Sequence, residues 1–199
     1  MGELNMSENK ILKPEVIVFA GPNGSGKSTI TRMAKTVGRY INADEIKRAT
    51  LCTDIEAAQK AEQLRNQAID EHADFTFETV LSTERNLDLL RRAKEAGYFV
   101  RGIYVLTSDP YINIARVSAR VALGGHDVPK DKILQRYDRA LKLIPQLVEV
   151  CDILHIYDNT AEPFRIFKKR KNVFFRWCND YWNDDAIEEL TGIDTFTQQ

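Results

Sequence analysis

The sequence predicts an α/β fold: a mostly parallel five-stranded sheet with helices on both faces, followed by a small C-terminal hairpin. Three observations predict it. Short apolar runs of strand character alternate with longer segments at helical spacing, the pattern of βαβ units and hence of parallel strands. A glycine-rich loop stands between the first apolar run and the helix behind it. Polar residues of catalytic type fall just after the apolar runs, where the carboxyl ends of parallel strands collect ligands.

Residues 1 to 13 are polar and aperiodic and are read as a loose leader. The remainder, 14 to 199, shows no repeat, low-complexity stretch or linker and is read as one domain. The first strand is Val16-Ile-Val-Phe-Ala20, and behind it comes Gly21-Pro22-Asn23-Gly24-Ser25-Gly26-Lys27-Ser28-Thr29. This is the spacing of a P-loop. Its glycines let successive N–H groups turn inward around phosphate oxygens, Lys27 reaches the β- and γ-phosphates, and the Ser28 hydroxyl can ligate Mg²⁺. A helix from about Lys27 to Val37, closed by Gly38, points its positive end at the same anion. With strand before and helix after, the motif implies a fold of the P-loop NTPase and kinase type, with ATP and Mg²⁺ as its cofactors.

Tyr40 to Asp44 is a short extended segment ending in Asn42 and Asp44. Asp44 can align an acceptor hydroxyl and take its proton, or merely cap the next helix. Thr53-Asp-Ile-Glu56 is a capping box opening a long helix whose apolar face is Ile55, Ala58, Ala61, Leu64, Ala68 and Ile69. Asp74 to Leu81 alternates as a strand and delivers Glu78 and Thr79 near its end. An unpaired carboxylate on that apolar strand is costly, so Glu78 calls for a metal, an arginine, a substrate hydroxyl or a structural ion pair. Ser82 or Thr83 caps the next helix, which runs to Gly97.

Phe99 to Leu106 is a further strand, and Ser108-Asp109-Pro110 starts a helix ending at Gly124-Gly125. Arg116 and Arg120, four residues apart, share a face of it. They suit a lid, about 109 to 130, that closes guanidinium groups on a triphosphate; two arginines on a solvated face would look the same. His126 in the glycine turn is a candidate acceptor contact or an exposed loop histidine. Ile133 to Ile144 has helical spacing up to Pro145, which kinks or ends that helix. Arg136 and Arg139 are read as surface residues. Cys151 to Tyr157 is the fifth strand, and 164 to 177 is a hairpin whose tip carries Lys168-Lys-Arg-Lys171. Its aromatics lie in strand-like runs rather than among the charges, so the tip is read as solvated and nucleic acid is not the expected partner.

A net charge of −1 gives no bulk attraction to nucleic acid or anionic membranes. No apolar run approaches a membrane span and no secretory pattern opens the chain, which places it in the cytoplasm. Three widely spaced cysteines form neither a disulfide framework nor a zinc site.

Four blocks together resemble the zeta toxin family, P-loop kinases of bacterial toxin–antitoxin systems: the P-loop at 21 to 29, Asn42-Ala-Asp44-Glu-Ile46, Phe77-Glu-Thr-Val-Leu-Ser82, and Arg116 through Gly124-Gly-His-Asp-Val-Pro129. The resemblance implies ATP-dependent phosphorylation of a sugar hydroxyl, with UDP-N-acetylglucosamine as the family's best-known acceptor. It implies Lys27 and Ser28 at the phosphates and Mg²⁺, Asp44 as the catalytic carboxylate, and Asn42, Glu78, Thr79 and His126 on the acceptor side. Arg116 and Arg120 become the lid arginines, and an antitoxin protein becomes a possible partner. The larger C-terminal region of long family members, which helps build the sugar-nucleotide site, has no counterpart here. Two other functions fit the residues without the resemblance: a kinase of nucleotides or RNA ends, and a switch that holds ATP without transfer.

Overall fold

A computed structural model describes residues 13–197; the leader assigned to residues 1 to 13 lies almost entirely outside them. The described chain runs β1 (Glu15–Ala20), α1 (Lys27–Met33), β2 (Arg39–Ile41), α2 (Ala43–Thr50), α3 (Asp54–Asp70), β3 (Phe75–Thr79), α4 (Arg85–Glu95) and β4 (Phe99–Leu106). It continues through α5 (Pro110–Ala122), α6 (Lys130–Lys142), α7 (Ile144–Val150), β5 (Ile153–Asp158), β6 (Phe164–Arg170), β7 (Val173–Arg176) and α8 (Asp184–Thr191).

The strands form one sheet in the order β2-β3-β1-β4-β5-β6-β7. The first five are parallel and the last two pair antiparallel, so the hairpin extends the predicted five-stranded sheet to seven. β1 continues to β2, on the far side of β3, whereas β3 continues to β4, on the far side of β1, so the chain leaves these two neighbouring strands in opposite directions. A crevice opens at the carboxyl ends of such a pair.

β1 is buried along Val16 to Ala20, and β3 buries Phe75 and Phe77, as expected of strands covered on both faces. The main core joins these strands to α3, α4, α7 and α8 through Ala61, Ile69, Leu87, Leu90, Ile144, Leu147, Ile187 and Leu190. Val117 of α5 with Val128 and Ile133 forms a smaller cluster apart from it. Among the described residues no helix is long and apolar enough to cross a membrane.

Several local expectations shift. α1 stops at Met33, well short of Val37, because Ala34 turns extended and the Val37 backbone exchanges two hydrogen bonds with the Thr76 hydroxyl of β3. The capping box at Thr53 and Glu56 forms, but α3 buries Ala57, Ala61, Ala68 and Ile69, while Ile55 is exposed and Ala58 with it. The expected face holds from Ala61 onward, with Leu64 packed against the core; only the first turns differ, where Ala57 points inward in place of Ile55 and Ala58. Neither Ser82 nor Thr83 caps α4, which begins at Arg85 without a side-chain cap. Leu81 has φ 54°, and the turn is held instead by Thr79, whose hydroxyl accepts from the Leu81 amide at 3.0 Å and Asn86 Nδ2 at 2.7 Å. Asp109 and Pro110 open α5 as expected, with the Asp109 carboxylate accepting from the Tyr111 amide. Pro145 opens α7 directly after α6.

Candidate active site

The loop after β1 curls because Gly21, Gly24 and Gly26 all take positive φ. All three are also required by close neighbours, Gly24 because a Cβ there would stand 2.5 Å from the Asn113 carbonyl oxygen. A Cβ on Gly21 would stand 2.0 Å from the Val105 carbonyl oxygen of β4, and one on Gly26 would stand 2.2 Å from Asn159 Nδ2. Gly26 is the N-cap of α1, in the left-handed conformation, so the helix starts at Lys27 with its first amides facing the loop. Ser25 is fully buried and its hydroxyl has no partner among the described residues.

Lys27 folds back over the loop and donates to the carbonyls of Gly21 and Pro22 at 2.7 and 2.9 Å. Burial pulls its ammonium down to about 8. The carboxylates of Glu78 and Asp44 raise it and the guanidinium of Arg120 lowers it further, so these three charged groups surround the lysine.

β3 pairs with β1 so that Glu78 lies beside Phe19 and Thr79 beside Ala20. This register carries Glu78 to the P-loop. Its Oε1 accepts from the Tyr40 hydroxyl at 2.8 Å and its Oε2 faces the Ser28 hydroxyl at 3.5 Å, the outer limit of a hydrogen bond. Asn42 Nδ2 donates to Tyr40 at 3.1 Å, completing a chain from β2 to β3. Burial and the neighbouring Glu78 push the Tyr40 phenol up, so it stays a donor. Ser28 and Glu78 offer hard oxygen donors a short distance apart, the donor type that Mg²⁺ requires. Among the described residues no group of three His, Cys, Asp or Glu side chains gathers. Mg²⁺ held here would therefore complete its shell with water and phosphate oxygens.

Asn42 is the N-cap of α2, its Oδ1 accepting from the Asp44 amide at 2.8 Å. Asp44 is thus relieved of the capping role. It sits in the first helical turn, exposed, and among the described residues its carboxylate accepts no hydrogen bond.

The arginines divide. Arg116 donates to the carbonyls of Asn159 and Thr160 at 2.8 and 3.1 Å, tying α5 to the turn after β5. Arg120 donates to the His126 carbonyl at 2.8 Å and projects its charge onto Lys27. His126 is exposed on the turn after α5, and its contact with Arg120 is through its backbone carbonyl. Thr79 spends both hydroxyl lone pairs on the α4 turn.

Three residues not singled out beforehand belong to the same place. Asn159 Nδ2 donates to the buried Ser25 carbonyl at 2.7 Å and so clamps the P-loop from β5. Arg136 of α6 reaches Asn23 Oδ1 at 3.4 Å. Tyr40 orients Glu78. Asn159 could have been found from its position just past a parallel strand; nothing local marks Arg136 or Tyr40.

Comparison with known proteins identifies the family and the fold. A family model described as Zeta toxin matches residues 39–172, a match that begins after the P-loop and so does not depend on it. An uncharacterized protein of Haemophilus influenzae is 34% identical over 133 residues, 64% of this chain and 95% of its own length. Among solved structures, the chain is similar to one from the PezAT chromosomal toxin–antitoxin system of Streptococcus pneumoniae, with a TM-score of 0.59 and 17% identity over 96% of this chain and 84% of that one. It is also similar to a chain of the AvrRxo1-ORF1:AvrRxo1-ORF2 complex with ATP, with a TM-score of 0.68 and 14% identity over 94% of this chain and 66% of that one. At these identities the likeness is one of fold. The matched family model and the P-loop geometry together lead to one conclusion: the chain belongs to the zeta toxin family of P-loop kinases.

Proposed function

We propose that this P-loop kinase transfers the γ-phosphoryl group of ATP to a sugar hydroxyl of a nucleotide sugar of the UDP-N-acetylglucosamine type. The observation that carries the reading is the exposed Asp44 carboxylate, which accepts no hydrogen bond among the described residues and whose charge acts on the Lys27 ammonium of the P-loop. The loop amides and Lys27 hold the triphosphate, the lysine leaving the Gly21 and Pro22 carbonyls for phosphate oxygens. Asp44 orients the acceptor hydroxyl and takes its proton as the new O–P bond forms and the β–γ bridging bond breaks, releasing ADP. Arg120, on a segment that acts as a lid, neutralises charge on the moving phosphoryl group. Ser28 and Glu78 would hold Mg²⁺, which would supply further charge neutralisation at the phosphates. Arg116 acts indirectly, by fixing the Asn159 turn that clamps the loop. Asn42 and Glu78 line the acceptor side. The protein works in the cytoplasm, and an antitoxin protein that blocks this cleft is its partner.

The test is incubation with γ-labelled ATP and Mg²⁺ against UDP-sugars, free sugars and oligonucleotides with a 5′ hydroxyl. Label moves to a UDP-sugar, and Asp44→Asn lowers transfer by about 10²–10⁴-fold, the contribution of one general base, with the affinity for ATP unchanged. Label on the oligonucleotide alone reassigns the acceptor. ATP binding with no transfer to any acceptor overturns the reading.

A further inference from the structure

We propose that the face of the sheet formed by β5, β6 and β7 binds single-stranded nucleic acid, with aromatic rings stacking bases and the cations between them holding phosphates. Strand pairing carries the argument. On β5 the buried residues are Leu154, Ile156 and Asp158, so His155 and Tyr157 point to the opposite face and are half-exposed. The register sets Lys168 beside His155 and Phe175 beside Lys168. One step towards the carboxyl end, Arg165 lies beside Tyr157, and its guanidinium sits 4.5 Å from the centre of the Trp177 ring.

The result is two adjacent rungs, each running aromatic, cation, aromatic: His155, Lys168, Phe175 and Tyr157, Arg165, Trp177. Within the rungs Lys168 Nζ stands 5.6 Å from the Phe175 ring centre. Between them the Phe175 and Trp177 rings stack at 6.2 Å with planes 23° apart, and His155 and Tyr157 lie 6.2 Å apart.

In the linear sequence these aromatics and cations sit on separate strands and look segregated; pairing interleaves them. Interleaved rings and cations on an open sheet are the chemistry that binds unpaired bases, since every base offers a π-face and every linkage an anion. The charged groups acting on His155 are cations, of which Arg101 is paired with Glu15 at 2.8 Å and Lys168 and Arg165 lie on the face itself. His155 is pushed down to about 4, by burial first and then by Arg165, Lys168 and Arg101 in turn. An acidic protein would satisfy the cations but would leave the ring faces without partners, which favours the polynucleotide. The inference stands on sheet pairing alone and does not depend on the kinase reading.

The test is a titration of the full chain, saturated with ATP and Mg²⁺ to occupy the P-loop, with a single-stranded homopolymer of about twelve nucleotides. Trp177 emission reports stacking, while Trp182, buried against the core, stays unchanged. The single strand quenches emission, the matching blunt duplex binds at least about fivefold more weakly, and log affinity falls against log salt with a slope near −1.4 for two phosphate contacts. Lys168→Glu weakens binding about tenfold and leaves ATP turnover intact. Arg165→Glu does the same, read only if its thermal melt matches wild type because its Nε is buried. Absence of quenching and of binding by the wild-type protein overturns the proposal. So does equal binding by duplex, full displacement by polyglutamate, or equal quenching by a mononucleotide.

Discussion

Lys27 carries two opposed demands, and the pH dependence of nucleotide binding follows from them. In the free protein burial holds its pKa near 8, below its value of about 10.4 in an unfolded chain. The unfolded state therefore binds the proton more tightly, the buried charge costs stability below pH 8, and stability rises as pH climbs from about 8 to 10.4. A bound triphosphate favours the ammonium and raises its pKa, so binding above pH 8 takes up a proton. Calorimetry at pH 8.5 in buffers of different ionisation enthalpy will show net uptake, and Kd for ATP will rise towards tenfold per pH unit above 8. Lys27→Met abolishes ATP binding yet stabilises the free protein by on the order of 1 kcal/mol, because it removes a desolvated charge. A pH-independent Kd between 7 and 9.5 would contradict this account. Asn159 makes a second case. Asn159→Ala leaves the buried Ser25 carbonyl unpaired, costing about 1–3 kcal/mol, and it weakens ATP binding by loosening the loop; Asn159→Asp, which turns a donor into a carboxylate facing that carbonyl, weakens it further. An unchanged melting temperature in both variants would show that the clamp does not hold the loop.

At the scale of elements, what was legible in the chain is what contiguous residues encode. The P-loop, the Thr53–Glu56 capping box and the Asp109-Pro110 helix start each contain their own geometry within a few residues, and each forms. Replacing the cap tests one of them: Thr53→Ala removes the two bonds of the Thr53 hydroxyl and leaves the Thr53 amide donating to Glu56, costs about 1 kcal/mol and lowers Tm by about 2–4 °C, with ATP binding unchanged because α3 begins away from the loop. A Tm shift below 1 °C would mean that packing on α2, not the cap, holds this end. Features decided by partners far along the chain were not legible. α1 ends early because Thr76, some forty residues on, claims the Val37 backbone; the turn before α4 is set by Thr79 rather than by Ser82 or Thr83; and the first turns of α3 bury Ala57 rather than Ile55 and Ala58, because small alanines on neighbouring faces do not fix the phase there. The candidate site divides the same way. Lys27, Ser28, Asp44 and Glu78 were readable as polar residues at strand ends, whereas Arg136 and the Asn159 clamp meet the loop only through tertiary packing.

At the scale of the whole molecule, the separation of two hydrophobic clusters sets where the protein can open. The main core binds the sheet to α3, α4, α7 and α8, whereas α5 and α6 share the small cluster of Val117, Val128 and Ile133, with Ile114 packed against it. The arm is otherwise held by Leu141 of α6, which packs against the main core, and by a few polar ties: Arg116 to the Asn159 turn, Thr107 to Asn113 at 2.5 Å, and the Tyr137 hydroxyl to the Thr107 carbonyl at 2.5 Å. Fewer buried apolar contacts mean a lower free energy of local opening. Native-state hydrogen exchange will show residues 110 to 142 exchanging through an opening several kcal/mol less costly than that of β1, β3 and β4. Arg116→Ala will lower it further without altering exchange in the sheet, since the arm meets the main core only at its far end, through Leu141. ATP, which places phosphate against Lys27 within reach of the Arg120 charge, will slow exchange of the arm preferentially by tying the two clusters together through the ligand. Exchange of the arm at the global unfolding free energy, in the absence of ATP, would mean that the two clusters unfold as one and that α5 and α6 do not move independently.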